Sequence, residues 1–148
     1  MLTRDSVEID APAQLVWEVF SDVERWPEWT ASVTSLVARD GAGLGVEKRF
    51  AIKQPGMQKL VWKVTELDPG WSWTWVQRSP GVSVTARHWV SALPGGRTLV
   101  RQELDQGGVL GALAGRLMAK KTKRFLELEA KGLKARSEQL SRADGAHS

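Results

Sequence analysis

"WSWTWVQRSPGVSVTARHWVSALPGGRTLVRQEL", residues 71 to 104, alternates apolar and polar side chains around two turn signals, "SPG" and "PGG". A period of two marks strands with one buried face, and turns this short join neighbours antiparallel. Directly opposed residues share a face, so loop length decides which side chains meet. A three-residue "PGG" loop pairs Val90 with Val100, His88 with Gln102 and Ala86 with Leu104. An even-length loop at "SP" or "RSPG" pairs Trp75 with Val84, Trp73 with Ala86 and Trp71 with His88. That register sets small Ala86 against bulky Trp73, as packing favours.

The alternation extends back to about residue 32, cut by "RDGAGLG", "QPGM" and "LDPG", which predicts six successive strands between 32 and 106. A two-residue "PG" loop at 69 and 70 puts Val64 opposite Trp75 and Glu66 opposite Trp73; "PGM" puts Phe50 opposite Trp62 and Ile52 opposite Leu60. One face then collects these apolar residues together with Val84, Ala86, Val90, Val100 and Leu104. The other collects Arg49, Lys53, Lys59, Lys63, Arg78, Arg87 and Arg101. His88, Gln102, Glu66 and Lys48 are polar groups on the apolar side.

Upstream, "SVEID" reads as a strand, and "APAQLVWEVFSD" as a helix begun by Pro12 with Val16, Val19, Phe20 and Val23 buried. "DVERWPEW", residues 22 to 29, predicts a second short, proline-stiffened element carrying two of the eight tryptophans. Downstream of Gly107 and Gly108 about thirty residues without proline predict a long helix to Leu140. At 100° per residue Leu110, Leu113, Leu117, Phe125 and Leu128 share a stripe with Lys121 near its middle. The expected layout is a single domain over 1–141 and a flexible tail over 142–148.

The totals narrow the function. A chain of 148 residues buries roughly 70% of its unfolded surface, enough for a sizeable core. Absence of cysteine excludes disulfides and thiol catalysis. The opening residues lack the apolar core of a signal peptide, and no run approaches the ~20 apolar residues of a membrane span. A cytoplasmic location is the expectation. Two histidines, one in the tail, predict no zinc site, and no cofactor motif stands out. "GAGLG" leads into a strand, so it is a hairpin loop rather than a phosphate cradle. Basic residues and indoles fall on opposite faces, which argues against a nucleic-acid partner.

An opening like "VEIDAPAQLVWEVFSDVERWPEW", then a meander, then a long C-terminal helix resembles the START-like (SRPBCC) superfamily, which includes polyketide cyclase/dehydrase-like proteins. The resemblance implies an α+β helix-grip fold: a curved antiparallel sheet of about seven strands around a long helix, with two short helices after strand 1. It further implies a hydrophobic cavity between sheet and helix, with "WPEW" expected to stiffen one end of it as plug or lid frame. On the registers above, Phe50, Trp62, Trp73, Trp75, Met118 and Phe125 are expected to wall it. His88 and Gln102 are the expected polar anchor, with Lys121 reaching in from the helix. The partner is then a hydrophobic small molecule, aromatic, polyketide-like or lipid. One alternative is a cyclase/dehydrase-like enzyme with His88 as catalytic acid/base. The other is a coenzyme Q- or lipid-handling protein working at membranes. For the basic residues of the long helix a solvated face is the default; contact with anionic lipid headgroups is possible but not expected, and the chain is expected to be a monomer or homodimer.

Overall fold

The computed structural model describes residues 1–146. Strand β1 (Leu2–Ile9) precedes helix α1 (Ala13–Ser21) and a 3₁₀ turn over Val23–Glu28. Six strands follow: β2 (Ser35–Ala38), β3 (Arg49–Lys53), β4 (Leu60–Asp68), β5 (Ser72–Ser79), β6 (Val82–Leu93) and β7 (Arg97–Gly107). Helix α2 (Gly111–Ala146) closes the fold. The sheet order β1-β7-β6-β5-β4-β3-β2 is an antiparallel meander with β1 returning to β7. Its concave face packs against α1, the 3₁₀ turn and α2, so the fold is a helix grip.

Most of the expected registers hold. His88 lies opposite Gln102, Val90 opposite Val100 and Trp89 opposite Arg101. Phe50 pairs with Trp62 and Ile52 with Leu60. On the outer face the Arg101 guanidinium stacks 5.0 Å from the Trp89 ring.

The β5–β6 register differs from expectation by two residues. Trp73 faces His88, Trp75 faces Ala86 and Ser79 faces Val82. The loop is therefore Pro80–Gly81. Proline presets the first loop position, and Gly81 takes the φ of +76° that the second requires. Between β4 and β5 the expected Val64–Trp75 pair is present, but a bulge follows it. Leu67 instead of Glu66 then faces Trp73, and Glu66 turns to solvent. Trp71 falls in the turn, where it is 43% exposed rather than part of the apolar face.

Helix α2 is rotated from its predicted orientation. Leu126, Ala130 and Leu133 are buried with Thr122, Glu129 and Ser137, whereas Leu113 and Leu117 stand 57% and 76% exposed. At 100° per residue the buried stripe lies about 150° round the helix from the expected one. Gly132 sets this orientation: a Cβ there would lie 2.0 Å from the carbonyl oxygen of Trp29, so only the hydrogen of glycine lets the helix approach. Polar ties hold the C-terminal half in place. Glu138 accepts the Asp10 N–H at 2.9 Å, Lys134 donates to the Glu8 carbonyl at 3.1 Å, and Arg136 pairs with Glu28 at 3.0 Å. The helix continues through Ala146, so the tail expected at 142–148 is helical that far. His147 and Ser148 lie outside the described residues.

Candidate functional site

A cavity of about 290 Å³ lies between the concave sheet and the first half of α2. Ile52, Leu60, Trp62, Trp75, Val84 and Ala86 form the sheet side. Ala114, Met118, Thr122, Phe125, Leu126 and Glu129 form the helix side, and Trp26 closes one flank. The alternation of β3 to β7 supplies the sheet wall directly, since every second residue points inward.

Of the residues expected at the site, Trp62, Trp75, His88, Gln102, Met118 and Phe125 line the cavity. Phe50 and Trp73 do not. Both are fully buried behind the wall, where Trp73 meets Phe20 edge-on at 4.8 Å and Phe50 lies 5.9 Å from the Trp75 ring. Lys121 does not reach in either; its ammonium sits 3.4 Å from the Gly56 carbonyl in the β3–β4 loop. The helix rotation that exposes Leu117 also carries Lys121 to the rim.

His88 stacks on Trp73, with ring centroids 4.1 Å apart and planes 12° from parallel. Its Nδ1 lies 3.1 Å from the Trp73 carbonyl, which can only accept, so Nδ1 carries the hydrogen and Nε2 is left as acceptor. Burial strongly disfavours the imidazolium and pushes the pKa down to about 3, against a smaller opposing effect of the Trp73 bond. His88 is therefore a neutral imidazole at physiological pH. Across the strand pair, Gln102 is buried and its Oε1 has no hydrogen-bond partner among the described residues; Gln106 Oε1, also on the cavity wall, shares that condition.

The "WPEW" segment is at one end of the cavity, as expected, and two further contributors, Gln106 and Glu129, escape the sequence reading. Trp26, from "WPEW", is a fixed wall: its indole donates to the Phe20 carbonyl at 2.8 Å and its ring stacks on Phe20 at 5.5 Å. Gln106 ends the same inward row as Gln102. Glu129 is a carboxyl 6% exposed on the cavity side of α2. Burial raises its pKa to about 8; a hydrogen bond with Ser32 works against that rise and the charge of Asp5 adds to it. Glu129 is thus mostly a neutral carboxylic acid near pH 7. The signal for it was present, because Leu126, Ala130 and Leu133 also recur at helical spacing and share a face with it. No cluster of three or more potential metal ligands occurs among the described residues.

Residues 3–138 match the family described as polyketide cyclase / dehydrase and lipid transport. No curated protein matches the sequence. Among solved structures, the ZhuI aromatase/cyclase from Streptomyces sp. R1128 superposes with a TM-score of 0.79 at 19% identity, covering 98% of each chain. A START superfamily protein from Mycobacterium smegmatis gives a TM-score of 0.68 at 24% identity, over 94% of this chain and 98% of that one. A hypothetical protein from Helicobacter pylori gives 0.77 at 16% identity, over 93% and 88%. At these identities the structural likeness establishes the fold alone.

Proposed function

Because the chain belongs to the polyketide cyclase/dehydrase and lipid transport family, we propose that it binds a hydrophobic, hydroxyl-bearing small molecule, aromatic or polyketide-like, in the cavity between sheet and helix. The observation that carries this reading is the wall itself. Indoles and aliphatic side chains enclose about 290 Å³, and two residues of that lining, Gln102 and Gln106, have buried carboxamide oxygens that lack donors among the described residues. A buried acceptor left unpaired costs ~1–3 kcal/mol, so a ligand hydroxyl that meets either oxygen when its carboxamide turns towards the cavity recovers energy that an aliphatic ligand cannot. Apolar contact supplies the remaining affinity, at ~25 cal/mol per Å² removed from water. Native mass spectrometry of the purified protein, followed by solvent extraction, tests this directly. An added mass released on denaturation is expected. A bare chain whose tryptophan fluorescence also ignores a panel of phenolic and aliphatic ligands refutes it.

Acid–base chemistry is the second reading, and the protonated carboxyl of Glu129 on the cavity wall favours it. A protonated carboxyl with a pKa of about 8 on the facing helix is a competent acid near neutral pH, whereas burial makes His88 so weak a base that its Nε2 accepts a hydrogen bond rather than a proton. A cyclisation or dehydration would use the Glu129 proton, with His88 orienting the substrate, in a site that holds a folded chain away from water. Glu129→Gln then abolishes turnover of a candidate polyketide while leaving its binding within a few-fold, and His88→Gln lowers binding and turnover together; loss of turnover alone in His88→Gln would instead make His88 the acid/base.

A further inference from the structure

The first half of α2 presents a surface that the cavity does not use. Ala114 and Met118 face the cavity, while Leu113 and Leu117, about 100° round the helix from them, are 57% and 76% exposed. Val109 and Leu110 lead into the helix at 93% and 49% exposure. Leu110 packs over Gly81 of the β5–β6 turn, so this apolar ridge continues onto the hairpin beside the cavity. From Gly111 to Arg124 the helix carries Arg116, Lys120, Lys121, Lys123 and Arg124 and no acidic residue. Among the described residues none of these five cations forms a salt bridge, although Glu127 and Glu138 follow further along. At 100° per residue Leu113, Leu117, Lys120 and Arg124 fall on one arc, with the leucines first and the cations one to two turns later.

We propose that this face docks the protein on an anionic lipid bilayer, with Leu113 and Leu117 entering the acyl boundary and Lys120 and Arg124 at the phosphate level. Exposed leucines with flanking cations are what an interfacial helix needs: apolar area to bury, and charge opposite to the headgroups. A second copy of the chain would set the same five cations against themselves, which charge complementarity disfavours. Because Met118 lies between the ridge and the cavity, docking brings the cavity rim to the membrane and lets a lipophilic ligand pass without crossing water. Docking itself stands on the helix surface; only the loading of the cavity rests on the ligand-binding reading.

Co-sedimentation of the intact protein with phosphatidylcholine vesicles, with and without about one-third phosphatidylglycerol, tests the proposal. Binding is expected to the anionic vesicles only, and to fall steeply with salt. Leu113→Gln/Leu117→Gln and Lys120→Gln/Arg124→Gln, both at exposed positions, should each lower the partition coefficient about tenfold or more with unchanged circular dichroism. Equal binding to neutral vesicles overturns the proposal, as does no binding to either kind, or variants that bind like the parent chain. A leucine variant that converts a dimer to a monomer, with no vesicle binding by either form, overturns it in favour of self-association. Met118→Trp, which fills the cavity, separates the two readings: vesicle binding should persist while ligand uptake is lost.

Discussion

The two titratable groups on the cavity wall make opposite demands, and the stability of the fold should record both. Glu129 has a folded pKa of about 8 against 4.5 for a free glutamate. Its contribution is fully present below pH 4.5 and is lost as pH rises towards 8, because the unfolded chain ionises first. His88 runs the other way. With a folded pKa of about 3 against 6.5, its contribution is fully present above pH 6.5 and is lost as pH falls towards 3. Each group changes stability by ~1.4 kcal/mol per pH unit inside its own window. Between pH 4.5 and 6.5 the two slopes cancel, so that part of the profile is flat. Glu129→Gln removes one slope: stability of that variant should rise with pH from 4.5 to 6.5, and exceed that of the parent chain by about 3 kcal/mol near pH 7 when both are referred to pH 4.5. His88→Gln should tilt the plateau the opposite way. Urea unfolding at several pH values measures this, and taking differences between variants cancels the exposed groups. Parallel profiles for the parent chain and Glu129→Gln between pH 5 and 8 would refute the claim that Glu129 is buried and protonated.

Gln102→Leu removes an unpartnered buried acceptor, so it should stabilise the ligand-free protein by ~1–2 kcal/mol and weaken a phenolic ligand about tenfold; calorimetry and a binding titration check the two signs. Met118→Trp should abolish ligand-induced changes in tryptophan fluorescence while the melting temperature drops by only a few degrees. Gly132→Ala is a test of the helix position. In an open helix that change gains about 1 kcal/mol, but here the new Cβ meets the Trp29 carbonyl, and a net loss of ~2 kcal/mol or more is expected by thermal melting. A stabilised variant would mean that α2 does not sit where Gly132 places it.

Much of this was legible in residues read by themselves, where a side chain's role depends on near neighbours. Alternation with a period of two assigns Trp62, Trp75, Ala86, His88 and Gln102 to one face whatever the rest of the chain does, because the pleat imposes it. "PGG" sets the β6–β7 pairing, and so places His88 beside Gln102, since a three-residue loop leaves one register open. Proline-free length announces α2. The Pro80–Gly81 turn is readable too: proline followed by glycine fits the two central positions of a tight turn better than Ser79–Pro80 does.

Non-local packing decided the remainder. Nothing near Glu66 announces the bulge, which absorbs the extra residue of a turn several positions away and sends that carboxylate to solvent. Helix α2 carries two candidate stripes, and hydrophobicity favours the one with more leucines. Contact between Gly132 and the backbone at Trp29, more than a hundred residues earlier, selects the other. That single rotation puts Glu129 in the cavity, withdraws Lys121 to the rim and leaves Leu113 and Leu117 in water. Local sequence determines which faces an element has; only the close approach of distant backbone determines which of them is turned inward.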